Sequence, residues 1–258
     1  MIEMKLNNFF LQHKGIYGTV VIIILWYIFH YLLQTAIIPS PIETIMEFFR
    51  LLQRDLLLHM FASLYRILVA GIISLILGVS IGLYLGLNEK IDQYFSPMIY
   101  LLYPIPKIAF LPVLMILFGL GNLSKIMLIT IIIFFQILVT TRDSVKGLNK
   151  EWFYSIRSLG ASKFQLYQHL VLPAVLPKLF TAIRISIGTS IAVLFFAENF
   201  ATTYGIGYFI MNSWTRVDYV QMFAGILAIS LLGLLIFKGI DLLEKHLCKW
   251  IILEKETI

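Results

Sequence analysis

The chain has 258 residues, 60% of them hydrophobic and 13% charged, with a net charge of +6. Soluble domains carry roughly 45–50% apolar and about 25% charged residues, so this composition excludes an ordinary soluble domain. Its 20 Lys and Arg are spread over separate segments, which excludes a nucleic-acid face, and the single cysteine, Cys248, excludes a disulfide framework.

The apolar residues fall into long blocks, and a helix needs about 17–25 of them to cross a bilayer. In chain order the blocks are Ile16 to Leu33, Ile67 to Leu87, Tyr94 to Phe118 with an interruption, Ile126 to Thr141, Leu179 to Phe200, and Tyr219 to Phe237. None alternates as a barrel strand would. The expected fold is therefore an all-α integral membrane protein of about six spans in one membrane domain, 1–258. No small-residue cleavage site follows the first block, so it is read as a span and not as a signal peptide. The fourth block is short, and Lys125 and Arg142 are expected to snorkel outward from its two ends. Arg66 and Arg184, near the ends of other spans, are expected to do the same.

Between the first two blocks, Pro39 to Ser63 opens on a PSP turn. It continues as an amphipathic helix with Ile42, Ile45, Met46, Phe49 and Leu52 on one face, suited to the outer membrane surface. The second block carries Ala70, Ser74, Gly78, Gly82 and Gly86 at every fourth position. That stripe lets another helix backbone approach closely, in this chain or in a second copy. The third block is broken by Pro104, Pro106 and Pro112, each of which removes a donor and disfavours helix before it. Lys107 lies inside the break, and a charge at that depth points to a pathway-lining kink over a plain bend. After the fifth block, Glu198 follows the apolar run AVLFFA and is expected to face the protein interior or a solvated cavity. Gly205 and Gly207 are expected to end that helix.

Basic residues set the orientation. Lys5, Lys14, Lys90, Arg142, Lys146, Lys150, Arg157, Lys163, Lys178, Lys245, Lys249 and Lys255 fall on one side, against Arg50, Arg54, Lys125 and Arg216 on the other. Both termini and the loop over 143–178 are therefore expected in the cytoplasm. This loop is far longer than a connector of a few residues. Trp152, Phe153, Ile156 and Leu159 recur at helical spacing, Gly160 follows, and Ser162 is placed to cap a second short helix with Phe164, Tyr167 and Leu170 on one face. Pro173 and Pro177 are expected to stop it before the next span.

The loop resembles the EAA motif of ABC-importer permeases: Glu-Ala-Ala, three residues, Gly, nine residues, Ile, any residue, Leu-Pro. Here nine residues, Ala161 to His169, follow Gly160 and lead into Leu170, Val171, Leu172 and Pro173. Tyr154, Ser155 and Ile156 stand where Glu-Ala-Ala would be, with Glu151 one turn away. The likeness extends through SLYRILVAGIISLILGVSIGLYLG, YPIPKIAFLPVLMILFGLG and AENFATTYGIGYFI, which look like the nitrate, taurine and aliphatic-sulfonate branch. It implies an importer core over 59–250 in the cell inner membrane, and a coupling role for Glu151, Gly160, Ala161, Ser162, Phe164, Gln165, Tyr167, His169, Leu170 and Pro173. It implies a pathway near Tyr103, Pro104, Pro106, Lys107, Phe196, Glu198 and Asn199. The partners it implies are two copies of a cytoplasmic ATPase, an extracytoplasmic solute-binding protein, a second copy of the chain and the lipid bilayer.

The chain itself has no GxxxxGK[ST] loop; GLGNLSK from Gly119 lacks the spacing. ATP and magnesium are therefore expected in the partner, and no catalytic residue, cofactor or metal in this chain. The cargo is expected to be a small anion such as a sulfonate, taurine or nitrate, which Lys107 would suit. A thiamin-precursor pyrimidine or a flavin is the alternative, which Tyr103, Phe195, Phe196 and Tyr204 would suit. An ion-gradient-driven transporter using Glu198 is the competing class, but the sequence lacks paired halves. A membrane enzyme finds no support, because His13, His30, His59, His169 and His246 are scattered and form no HExxH.

Overall fold

In the computed structural model of the protein, residues 14–250 are described, and every regular element among them is helical. Lys5, His13 and Lys255 lie outside the described residues. The helices are α1 (Lys14–Leu33), α2 (Pro41–Leu52), α3 (Leu56–Leu87), α4 (Glu89–Leu102), α5 (Leu111–Phe118), α6 (Asn122–Lys146), α7 (Lys150–Ser158), α8 (Lys163–Leu166), α9 (Leu172–Glu198), α10 (Ile206–Thr215) and α11 (Tyr219–Leu247). A 3-10 turn, Lys107–Phe110, precedes α5, and a π-helical stretch, Tyr167–Val171, joins α8 to α9. Five helical runs are long and apolar enough to cross a membrane, or six when the pair Glu89–Leu102 and Lys107–Phe118, bent by 81°, counts as one broken span. The all-α membrane fold is as expected.

Several boundaries differ, for physical reasons. The fourth span is not short: α6 runs for 25 residues because Asn122, Ser124 and the polar run Thr140 to Lys146 extend the helix past its apolar centre. Pro173 and Pro177 do not stop the loop helix. Lys163 to Glu198 is one run of 36 residues. Pro173 sits in the first turn of α9, where the wide π turn before it accommodates the ring and the missing donor. The short helix α10 has no counterpart among the expected elements.

The described residues fall into two compact units, one within residues 14–57 and 209–228 and the other within residues 58–208 and 229–250. In the first, Ser40 and Glu43 form a capping box at the start of α2: Ser40 N donates to Glu43 Oε2 at 3.0 Å and Glu43 N to Ser40 Oγ at 3.2 Å. The buried face of α2 is Pro41, Thr44, Phe48 and Leu51. Ile42, Ile45, Met46 and Phe49, the expected apolar face, are exposed.

In the second unit the small-residue stripe of α3 meets α6 of the same chain. A Cβ on Gly82 would lie 2.8 Å from Leu138 O and 2.7 Å from Thr141 Cβ; one on Gly86 would lie 2.7 Å from Val145 Cβ. Ser74 Oγ donates to Thr130 O at 2.9 Å across the same seam. Lipid gives two helices no hydrophobic reason to pair, so close backbone approach and this hydrogen bond are what hold them.

Candidate functional site

The loop after α6 is a helical knob. Asn149 caps α7, its side chain accepting from Glu151 N at 3.0 Å. Gly160 then turns the chain at φ +78°, a conformation that costs an L side chain roughly 1–2 kcal/mol. Ser162 opens α8 with a complete capping box: Gln165 N donates to Ser162 Oγ at 3.2 Å, and Ser162 N to Gln165 Oε1 at 2.8 Å. The expected cap and turn are both present.

The knob has two faces. Leu166, Val171 and Val175 are buried in one cluster with Leu83 of α3 and Val145 of α6, with Phe153 and Tyr167 packed against it. Leu159 and Phe164 point away, 85% and 71% exposed, and Trp152 and Tyr154 are exposed beside them. The α7 stripe is therefore split: Phe153 and Ile156 turn inward, while Trp152 and Leu159 do not. Glu151, Gln165 and His169 are exposed, and Ala161, Leu170 and Pro173 are half-buried.

At the break in the third span, Tyr103, Pro104 and Pro106 are exposed. Lys107 folds back: its Nζ donates to Tyr103 O and sits 5.2 Å and 5.0 Å from the ring centroids of Tyr103 and Phe135. These cation–π contacts give a charge at membrane depth a local partner.

Glu198 lies in a separate cluster, at the end of α9 distant from the knob. It is fully buried and pairs with Arg66 of α3. Ser63 Oγ donates to its two oxygens at 2.8 and 3.0 Å, and Gly207 N donates to Oε2 at 2.8 Å. A Cβ on Gly205 would lie 2.6 Å from each carboxylate oxygen, so the glycine is what lets the loop close over the acid. Gly205 and Gly207 therefore cradle Glu198 rather than ending its helix, which stops at Asn199. Gly205 N donates to His59 Nδ1 at 3.0 Å and Ile206 N to Ser63 Oγ at 2.9 Å.

Arg66 and Lys125 correct the snorkelling expectation, while Arg142 and Arg184 stay half-buried. Arg66 is 4% exposed; besides Glu198 it donates through Nε and Nη2 to Asn122 Oδ1 at 2.9 and 2.7 Å and through Nη2 to Tyr204 O at 2.8 Å. Lys125 is 1% exposed and donates to Leu120 O and Gly121 O at 3.0 and 3.3 Å. Arg142 donates to Asp143 at 2.8 Å and Ser96 at 3.2 Å, and Arg184 ties α9 to Asp241 and Glu244 of α11. Acceptors near each charge offset the cost of taking it out of water, and those on other helices are invisible within a local sequence window.

The sequence thus points to Glu198 but not to Ser63, Arg66 and Asn122 around it. Phe196 is exposed and Asn199 half-buried, its Oδ1 shielded and without a hydrogen bond. No hydrogen bond or ion pair joins Lys107 to Glu198 among the described residues. Beside the ion pair opens a cleft of about 500 Å³ lined by Leu58, Ala62, Arg66, Asn122, Thr203 and Tyr204.

Residues 74–249 match the family described as binding-protein-dependent transport system inner membrane component. The taurine transport system permease protein TauC of Escherichia coli is 32% identical over 192 residues, covering 74% of this chain and 70% of the relative. The formylaminopyrimidine transport permease protein ThiX of Halalkalibacterium halodurans is 31% identical over 217 residues, covering 84% and 87%. A chain from inward-facing crystals of the MetNI methionine ABC transporter matches with a TM-score of 0.64 over 75% of this chain and 97% of its own, at 20% identity. That likeness is one of fold.

Proposed function

This chain belongs to the family of binding-protein-dependent transport system inner membrane components, the multi-pass permeases of ABC importers, and from that premise we propose how it works. Two copies form a pathway between them, each seated on a cytosolic ATPase that holds the ATP and magnesium. A solute-binding protein delivers cargo to the opposite face, and both termini of the chain lie in the cytoplasm. Closure of the ATPases on ATP turns the pathway outward, and hydrolysis resets it.

The knob is the coupling element. The observation that carries this is its two-sidedness: Phe164 and Leu159 project outward, while Leu166 and Val171 are locked into a core shared with α3, α6 and α9. A push on the outer face is therefore delivered to the spans. Gly160 makes the turn, Ser162 and Gln165 hold α8 rigid, and Ala161 to Leu170 with Pro173 carry the motion into α9. Glu151 supplies the acidic contact that Tyr154 cannot.

Tyr103, Pro104, Pro106, Lys107, Phe196, Glu198 and Asn199 border the pathway. The cargo is a small organic or inorganic anion such as a sulfonate, a reading supported by the taurine permease relative. The formylaminopyrimidine permease relative, nearly as similar, favours a heterocycle as the second reading. The test is reconstitution of the chain in proteoliposomes with its ATPase and binding protein. ATP-dependent uptake that vanishes without the ATPase is expected; gradient-driven uptake by the chain alone would refute the reading.

A further inference from the structure

The cluster around Glu198 does not balance its charges. Arg66 and Lys125 are both buried, and Glu198, paired with Arg66, is the one buried carboxylate besides Asp92 among the described residues. Lys125 is held by two carbonyl oxygens instead, one of them from Gly121, which also lines the 500 Å³ cleft. An uncompensated cation is costly away from water, and the natural remedy is a counter-anion.

The cleft wall is furnished to hold one. Arg66 has no acceptor atom, so the Asn122 group facing its Nε and Nη2 must be the amide oxygen. That orientation turns the Asn122 NH2, a donor, away from Arg66. Thr203 and Tyr204, each with a hydroxyl able to donate, line the same cleft. Leu58 and Ala62 complete the wall with apolar surface. Donors, excess positive charge and an apolar flank occur together.

We propose that this cleft binds a small organic oxyanion, a sulfonate or carboxylate with a short apolar tail, through Asn122, Thr203, Tyr204 and the field of Arg66 and Lys125. As a resting place for cargo the site rests on the transport function proposed for the chain; the affinity itself is a property of the chain alone and is measured without ATPase, binding protein or transport.

The test is calorimetric titration of the full-length chain in phosphatidylcholine nanodiscs with ethanesulfonate, with dimethyl sulfone as the neutral comparator and inorganic sulfate as the tail-less one. Saturable binding of ethanesulfonate, none of dimethyl sulfone and several-fold weaker binding of sulfate are expected. Asn122→Asp keeps an oxygen for Arg66 but replaces the donor by a negative charge, and should weaken ethanesulfonate binding by about tenfold or more. Thr203→Val, on an exposed residue outside the ion pair, should weaken it by a smaller factor and guards against misfolding of the first variant. Absence of saturable binding, equal binding of dimethyl sulfone, equal or tighter binding of sulfate, or unaltered affinity in both variants would overturn the assignment.

Discussion

Arg66 and Glu198, 132 residues apart in sequence, form a buried ion pair that ties the start of α3 to the end of α9. Ser63 and Gly207 donate to the carboxylate, and Asn122 and the Tyr204 carbonyl accept from the guanidinium. Removing one partner of such a pair strands a charge, which typically costs about 3–5 kcal/mol, whereas replacing both with apolar residues is often neutral. Glu198→Leu and Arg66→Met should each lower stability by that amount when made alone. Glu198→Leu with Arg66→Met should recover most of it. A double-mutant cycle read by denaturant unfolding of the detergent-solubilised chain checks this.

Two glycines on α3 should respond differently to the same change. A Cβ at Gly82 meets Leu138 O at 2.8 Å, backbone that cannot move aside, whereas at Gly71 nothing lies within 4 Å. Gly82→Ala should cost about 1–3 kcal/mol. Gly71→Ala should be neutral or slightly stabilising, as an unstrained Gly→Ala change in a helix is. Thermal unfolding of the two variants side by side tests the α3–α6 seam.

At Gly160 the penalty is conformational, because a Cβ there meets open space. Gly160→Val should insert normally, distort the turn that aims α8, and uncouple ATP hydrolysis from uptake. Gly160→Asn, which tolerates φ near +78°, should retain most coupling. Uptake per ATP hydrolysed, measured for both variants in proteoliposomes, is the readout.

The capping box at α2 makes a pH prediction. The Ser40 backbone N–H, and then its hydroxyl, hold the Glu43 carboxyl below its ordinary value of 4.5. A lowered carboxylate stabilises the fold in full above the ordinary value, and that contribution fades as the pH falls through the lowered one. Amide-exchange protection in the first turn of α2 should therefore drop on acidification below pH 4.5. In Glu43→Gln, which keeps the cap without a titrating group, it should stay level.

Much of this is legible in the sequence. Hydropathy locates the spans, the prolines locate the break at Tyr103, and Ser162 with Gly160 announces the knob's cap and turn. All of these are local signals, carried within a few residues. The burial of Arg66 and Lys125 is not legible, because hydropathy registers the cost of a charge in lipid but not the groups that the fold brings to it. Gly205 and Gly207 look like helix terminators for the same reason: their missing side chains make room for Glu198, which only the folded chain brings alongside. Pro173 looks like a stop because the π turn that accommodates it has no sequence signature of its own.

The central claim is that a cytosolic ATPase grips the knob by its exposed apolar face. A photoreactive benzoylphenylalanine at position 164, in cells expressing the whole transporter, tests it most directly. The expected result is a crosslink to the ATPase subunit that is absent when the group is moved to buried Leu166. A crosslink from position 164 only to the solute-binding protein or to lipid, with none to a nucleotide-hydrolysing subunit, would contradict it.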